Sequence, residues 1–217
     1  MCKRKQLLAG LNSLDLQLGE QDVDRLLLYC QELEKWNKRI NLIARHTSPA
    51  EIVEKHFLDS LSLLPIINGS GDSPLSLLDI GTGAGFPGLV LAAVLPDLQV
   101  TLMEPRQKRV VFLRHIMRTL ALTNVSLLER RLEPGEQLAE PEDGFTFITS
   151  RAVAAPALFL PLVEATASKI TQVILMQADQ HSWLNSKQEM SWKLMDKREF
   201  PLPVSGHNRS LLIVKKQ

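Results

Sequence analysis

The sequence predicts a doubly wound α/β domain with a mostly parallel sheet, preceded by an all-helical extension. Three observations carry that prediction. Apolar residues recur at helical spacing over 23–40 and again from Ser48 to about Pro65, short apolar runs alternate with helical stretches after Pro74, and a glycine-rich loop closes the first of those runs. The 217 residues suffice for one such domain with a modest extension.

At the start, the basic Met1-Cys2-Lys3-Arg4-Lys5 leads into an apolar stretch that ends at Leu11 and meets Asn12 and Asp15, interrupted too soon for an export signal. Val23, Leu26, Leu27, Cys30, Leu33, Trp36 and Ile40 then form one stripe of a long amphipathic helix over 23–40. Ser48-Pro49-Ala50-Glu51 combines an N-cap serine, a proline at the first helical position and a glutamate able to close a capping box, so a second helix starts there. It carries Ile52, Val53, His56, Phe57, Leu58, Leu61 and Leu64, and is expected to stop near Pro65 before the polar stretch 68–74. The helical extension is thus placed over 1–67 and the α/β domain over 74–217. Within that domain strands are expected over 75–80, 100–104, 125–128, 145–149, 173–176 and 211–214. Helices are expected over 87–95, 108–120, 155–165 and 182–190.

Composition excludes several classes. Apolar residues make up 45% and charged residues 23%, a balance that argues against disorder or a fibre. The longest uncharged apolar runs, 85–96 and 152–163, are too short to cross a bilayer, so no membrane partner is expected. Only Cys2 and Cys30 are present, without C-x-x-C spacing, which excludes a disulfide framework and leaves no expected metal site; a reducing cytoplasm suits the chain. A net charge of +1 does not advertise nucleic acid, and a monomer is expected.

The chemistry concentrates in Leu78-Asp79-Ile80-Gly81-Thr82-Gly83-Ala84-Gly85-Phe86-Pro87-Gly88, at the carboxyl end of the first strand, where doubly wound sheets bind ligands. Gly83 to Gly88 also satisfy the dinucleotide pattern G-x-G-x-x-G, so two cofactors compete. Asp79 decides between them. With Gly81, Gly83 and Gly85 it gives D-x-G-x-G-x-G, which resembles the loop of adenosylmethionine-dependent methyltransferases, and an acidic residue there would repel a pyrophosphate but tolerates a sulfonium and an amino acid. Glu104, ending the second strand, is placed to accept hydrogen bonds from both ribose hydroxyls, a feature that both cofactor classes share.

That loop, Trp36-Asn37-Lys38-Arg39-Ile40-Asn41-Leu42, His56-Phe57-Leu58-Asp59-Ser60, Lys108-Arg109-Val110-Val111-Phe112-Leu113-Arg114 and Ser150-Arg151-Ala152 occur in the order of the bacterial 16S rRNA guanine-N7 methyltransferase family, RsmG or GidB, which the chain resembles over nearly its whole length. The resemblance implies a seven-stranded, Rossmann-like sheet, S-adenosyl-L-methionine as cofactor, and 16S rRNA or the small ribosomal subunit as partner. It further implies that Gly81 and Phe86 contact the cofactor, that Leu132 and Glu133 flank its adenine, and that Arg151 lies near its methionine end. Met176-Gln177-Ala178 stands where the family usually has Leu-Lys-Gly, a departure that removes one basic residue.

The methyl acceptor is narrowed by exclusion. Methylation at cytosine C5 needs a cysteine nucleophile, yet both cysteines precede the α/β domain. Thr149-Ser150-Arg151-Ala152 stands where enzymes acting on exocyclic amines often carry Asn/Asp-Pro-Pro-aromatic. Guanine N7 has a free lone pair and no proton to remove, so no catalytic base is named and Arg151 is read as an organiser. The alternative is an adenosylmethionine- or dinucleotide-binding Rossmann protein that acts as a ribosome-assembly or RNA-binding module without N7 activity. RNA contacts are expected at Lys38, Arg39, Lys108, Arg109 and Arg131, among helix-face cations that would otherwise be ordinary solvated charge. His56, Asp59 and Ser60 share a helical face and could line the mouth of the site, with a structural histidine as an equal alternative. Trp36 reads as core before stacking platform, and Asn37 and Asn41 could tether the extension to the domain.

Overall fold

The computed structural model describes residues 3–71, 74–138, 141, 144–151, 154–177 and 191–217, apart from the side chain of Gln177. Seven strands form one sheet: β1 (Ser76–Ile80), β2 (Gln99–Met103), β3 (Val125–Leu128), β4 (Phe147–Arg151), β5 (Gln172–Gln177), β6 (Trp192–Pro201) and β7 (Asn208–Lys216), in the order β3-β2-β1-β4-β5-β7-β6. Pairings from β3 through β5 are parallel, whereas β7 runs antiparallel to both β5 and β6. The order reverses between β2-β1 and β4, so the carboxyl ends of β1 and β4 flank the crevice where such sheets hold ligands.

Successive side chains of β1, β4, β5 and β7 alternate between two apolar layers. Leu77, Phe147, Ile174, Leu211 and Ile213 enter one; Leu78, Ile148, Val173, Leu175, Leu212 and Val214 enter the other. Helices α6 (Gly88–Val94) and α7 (Gln107–Thr119) cover the first layer, and α8 (Pro156–Val163) covers the second.

The extension builds on the first layer. Helices α1 (Lys3–Ser13) and α2 (Glu20–Asn37) contribute Leu7, Leu11, Val23, Leu26, Tyr29 and Leu33 to the cluster that holds Leu89 and Phe112. The Ser48 capping box is present and opens α3 (Pro49–Ile52), which passes through a π-helical turn (Val53–Leu58) into α4 (Asp59–Leu61). Pro65 does not end helical structure but lies in the first turn of a further short helix, α5 (Leu64–Asn68), where its missing N–H costs nothing. The expected helix over 182–190 lies outside the described residues. Strand β6 and helix α1 are elements that the sequence reading did not anticipate. No helix among the described residues is long and apolar enough to cross a membrane, and none of their His, Cys, Asp and Glu form a group of three or more able to hold a metal ion.

Candidate active site

Strand β1 delivers Asp79, fully buried, to the crevice, and the loop behind it folds back over the carboxylate. Asp79 Oδ2 accepts hydrogen bonds from Thr82 Oγ1 at 2.6 Å and from the Gly88 N–H at 2.8 Å, tying the loop and the first residue of α6 to the strand end. Gly83 (φ 63°) and Gly85 (φ 92°) take the left-handed conformation, and a Cβ at Gly85 would collide with the Tyr29 hydroxyl. Burial raises the Asp79 carboxyl to about 6, against the opposing bonds from Thr82 and Gly88 and the charge of Arg151. Its Oδ1 has no hydrogen-bond partner among the described residues, nor has Ser150 Oγ on neighbouring β4.

Glu104, 2% exposed just after β2, buttresses the same loop. Its Oε2 accepts from the Gly83 N–H at 3.0 Å and its Oε1 from the Arg106 N–H at 2.9 Å, with Arg109 Nη1 3.5 Å away. Two buried carboxylates, one with an unused acceptor, suit a ligand that brings hydroxyls and a cationic amine. They oppose a pyrophosphate.

Phe86 is the hub of an aromatic group. Its ring stacks on Tyr29 (5.5 Å between centroids, 5° between planes) and on His56 (5.0 Å, 24°), and meets Phe57 edge-on at 5.4 Å. The Arg151 guanidinium lies 5.0 Å from the Phe86 ring centre. From the end of β4, Arg151 donates to Lys55 O at 2.7 Å, meets His56 Nδ1 at 2.9 Å and stands 3.6 Å from Asp59 Oδ2. Burial, with the charges of Arg151, Lys55 and Arg209 adding to it, lowers the His56 pKa to about 3 and keeps the ring neutral. Arg151 therefore donates to Nδ1 and the ring's own proton sits on Nε2.

His56 and Asp59 thus converge on Arg151. Ser60 does not join them, because its hydroxyl is spent on His56 O one helical turn back. Asn37 Oδ1 accepts from the N–H groups of Leu42 and Ile43, and Asn41 bonds Arg45, so both organise the extension internally instead of tethering it. The tethers are other residues: Tyr29, whose hydroxyl donates to Ala84 O; Arg25, on Ala93 O; His115 of α7, against Glu32 of α2; and Glu54, which accepts the N–H groups of Val204 and Ser205. Trp36 packs on Phe112 and His115, the core reading.

The remaining expected positions divide. Leu132 is buried in the second apolar layer, past the end of β3, and the adjoining Glu133 is exposed. Lys38, Arg39, Lys108 and Arg131 are exposed, whereas Arg109 turns inward onto Glu104 and belongs to the loop pocket. Tyr29, Glu54 and Arg209 were not singled out from sequence; their roles rest on contacts 55 to 151 residues away along the chain, which no local pattern encodes.

Comparison with known proteins places this geometry in context. The family model described as rRNA small subunit methyltransferase G matches residues 22–212. A protein of Desulfotalea psychrophila named ribosomal RNA small subunit methyltransferase G is 40% identical over 97% of this chain and 97% of its own length. One of the same name from Acetivibrio thermocellus is 33% identical over 98% of this chain and 88% of its own. Among solved structures, MtNAS in complex with MTA and tNA shares the fold at a TM-score of 0.59, with 15% identity over 88% of this chain and 70% of that one. With the family model spanning most of the chain and relatives 40% and 33% identical over nearly all of it, the chain belongs to the rRNA small subunit methyltransferase G family.

Proposed function

We propose that this chain transfers the methyl group of S-adenosyl-L-methionine to N7 of a guanine in 16S rRNA. The carrying observation is Asp79. Its buried, unused Oδ1 is an acceptor for a cationic amino group, and Glu104 offers its carboxylate to ribose hydroxyls on the other side of the glycine loop. When bound, the cofactor supplies an electrophilic methyl group on a sulfonium. Gly81, Gly83, Gly85 and Phe86 would form the floor of its site, with Leu132 and Glu133 beside the adenine.

The protein's work is then positioning and electrostatics. The acceptor nitrogen carries a free lone pair, so holding it in line suffices and no side chain must take a proton. Arg151, bound by Lys55 O, His56 and Asp59, locks the extension onto the end of β4 and so fixes one wall of the crevice. His56, kept neutral, adds no positive charge where a guanine methylated at N7 would bear one. We place the protein in the cytoplasm as a monomer acting on RNA of the small subunit.

The test is transfer of labelled methyl groups to small ribosomal subunits lacking the modification, followed by nucleoside analysis. The expected product is 7-methylguanosine. Label on cytosine, on an exocyclic amine or on protein would overturn the assignment, and calorimetric binding of NAD in place of adenosylmethionine would overturn the cofactor.

A further inference from the structure

We propose that Arg209 grips a phosphate of the RNA strand bearing the target nucleotide. The inference rests on the reading of this chain as an rRNA methyltransferase and adds a contact outside the cations expected from sequence. Because β7 runs antiparallel to β5, its first residues lie at the same edge of the sheet as the carboxyl ends of β1 and β4. Arg209 stands there. Its Nε donates to Asp59 Oδ1 at 3.0 Å, and its terminal nitrogens have no hydrogen-bond partner among the described residues. The side chain is 22% exposed and the carboxylate that pins it only 4%. Among the described residues one edge of the guanidinium is thus fixed by a buried anion, and nothing bonds the other, whose paired N–H groups suit an incoming oxyanion.

The carboxylate that holds it is not its alone. Asp59 is shared between two guanidiniums, those of Arg151 and Arg209. Glu54 on the adjoining π-helical turn directs its carboxylate at the Val204 and Ser205 N–H groups, and Lys55 is paired with Glu51. His56 contributes no charge. Because Asp59 is divided between two guanidiniums it fully neutralises neither, and in a part-buried mouth an anion at the outer edge of Arg209 is attracted more strongly than on an open surface.

Sheet order gives the location its meaning. The ribose acceptor Glu104 follows β2 and the amine acceptor Asp79 lies near the end of β1, so the ligand spans β2 to β1 and the acceptor base must arrive from the side of β4, β5 and β7. Lys108 and Arg131 follow β2 and β3, and Lys38 and Arg39 lie beyond Trp36, which packs on α7. Those four are on the far side. Arg209 is on the side from which the base comes.

The experiment measures binding of unmodified small subunits, without cofactor, to the wild-type protein, Arg209→Gln and Arg209→Lys across a salt series. Glutamine can still donate to Asp59, so the tie to the extension is kept while the charge is lost. The expected result for Arg209→Gln is roughly ten-fold weaker RNA binding, with the slope of log K against log salt reduced by about 0.7 to 0.9, one phosphate's worth. Adenosylmethionine affinity and thermal midpoint should remain near wild type. Arg209→Lys should keep the slope and lose affinity, and decides the matter if the glutamine variant does not fold. An unchanged salt slope in Arg209→Gln, or weakened adenosylmethionine binding with RNA binding intact, would overturn the proposal and reduce Arg209 to a link between β7 and the extension. Wild-type protein that binds subunits but transfers no methyl would overturn the methyltransferase reading alone, since the slope still decides the contact. Wild-type protein that does not bind them would overturn both.

Discussion

Asp79 is held where its charge is costly. It is fully buried, two donors satisfy one oxygen, and the other is buried without a partner among the described residues. Its carboxyl is raised from 3.8 to about 6, so the folded protein holds a proton that the unfolded chain releases. The stability this gives is complete below pH 3.8 and is lost as pH rises through 6. Asp79→Asn removes that dependence. Chemical denaturation should show the variant gaining about 2 to 3 kcal/mol relative to wild type between pH 4 and pH 7.5, while calorimetry shows adenosylmethionine binding lost. A pH-independent difference between the two proteins would mean that Asp79 is not destabilised by its charge. Asp79 and Glu104 were legible in the sequence because loop spacing and strand ends place them. The bond between Arg151 and His56 was not, since 95 residues separate the two and only the folded sheet brings the end of β4 under the π-helical turn.

At the scale of elements, the joint between α2 and the glycine loop is the sharpest. Tyr29 donates to Ala84 O, stacks on Phe86 and occupies the space that a side chain at Gly85 would need. Tyr29→Phe keeps the ring and removes the donor. It should cost about 1 to 2 kcal/mol in unfolding measurements and weaken adenosylmethionine binding several-fold, because the loop loses its anchor without losing its packing. Unchanged affinity would show that the loop holds its shape unaided. Periodicity predicted most elements, since helices and buried strands write their spacing plainly. It missed β6, whose residues 193–197 are all exposed and whose register shifts between Leu194 and Asp196, so no alternation survives to be read. It missed α1 because a lysine-rich start obscures an apolar face that only the remainder of the extension buries. Pro65 misled in the opposite direction, since the residue that ends one helix is also favoured in the first turn of the next.

For the molecule as a whole, the division into extension and domain is one of sequence and not of packing. A single apolar cluster runs from Leu7 and Leu26 through Phe86 and Leu89 to Ile174 and Ile213. Unfolding should therefore be one event. In single-tryptophan variants, Trp36 in the extension and Trp192 in β6 should report the same denaturation midpoint and slope. Two separated transitions would restore the extension as an independent unit. The order of strands bears on synthesis as well as on stability. β6 leaves the ribosome before β7, the strand that will stand between it and β5, and until then it is a solitary ribbon beside an open sheet edge. Pairing directly with β5, or with another nascent chain, would trap the molecule. The charges of Lys193, Asp196, Lys197, Arg198 and Glu199 and the shifted register beside Leu194 make such early pairing unfavourable, so the features that hid β6 from periodicity also keep it waiting for its proper neighbour.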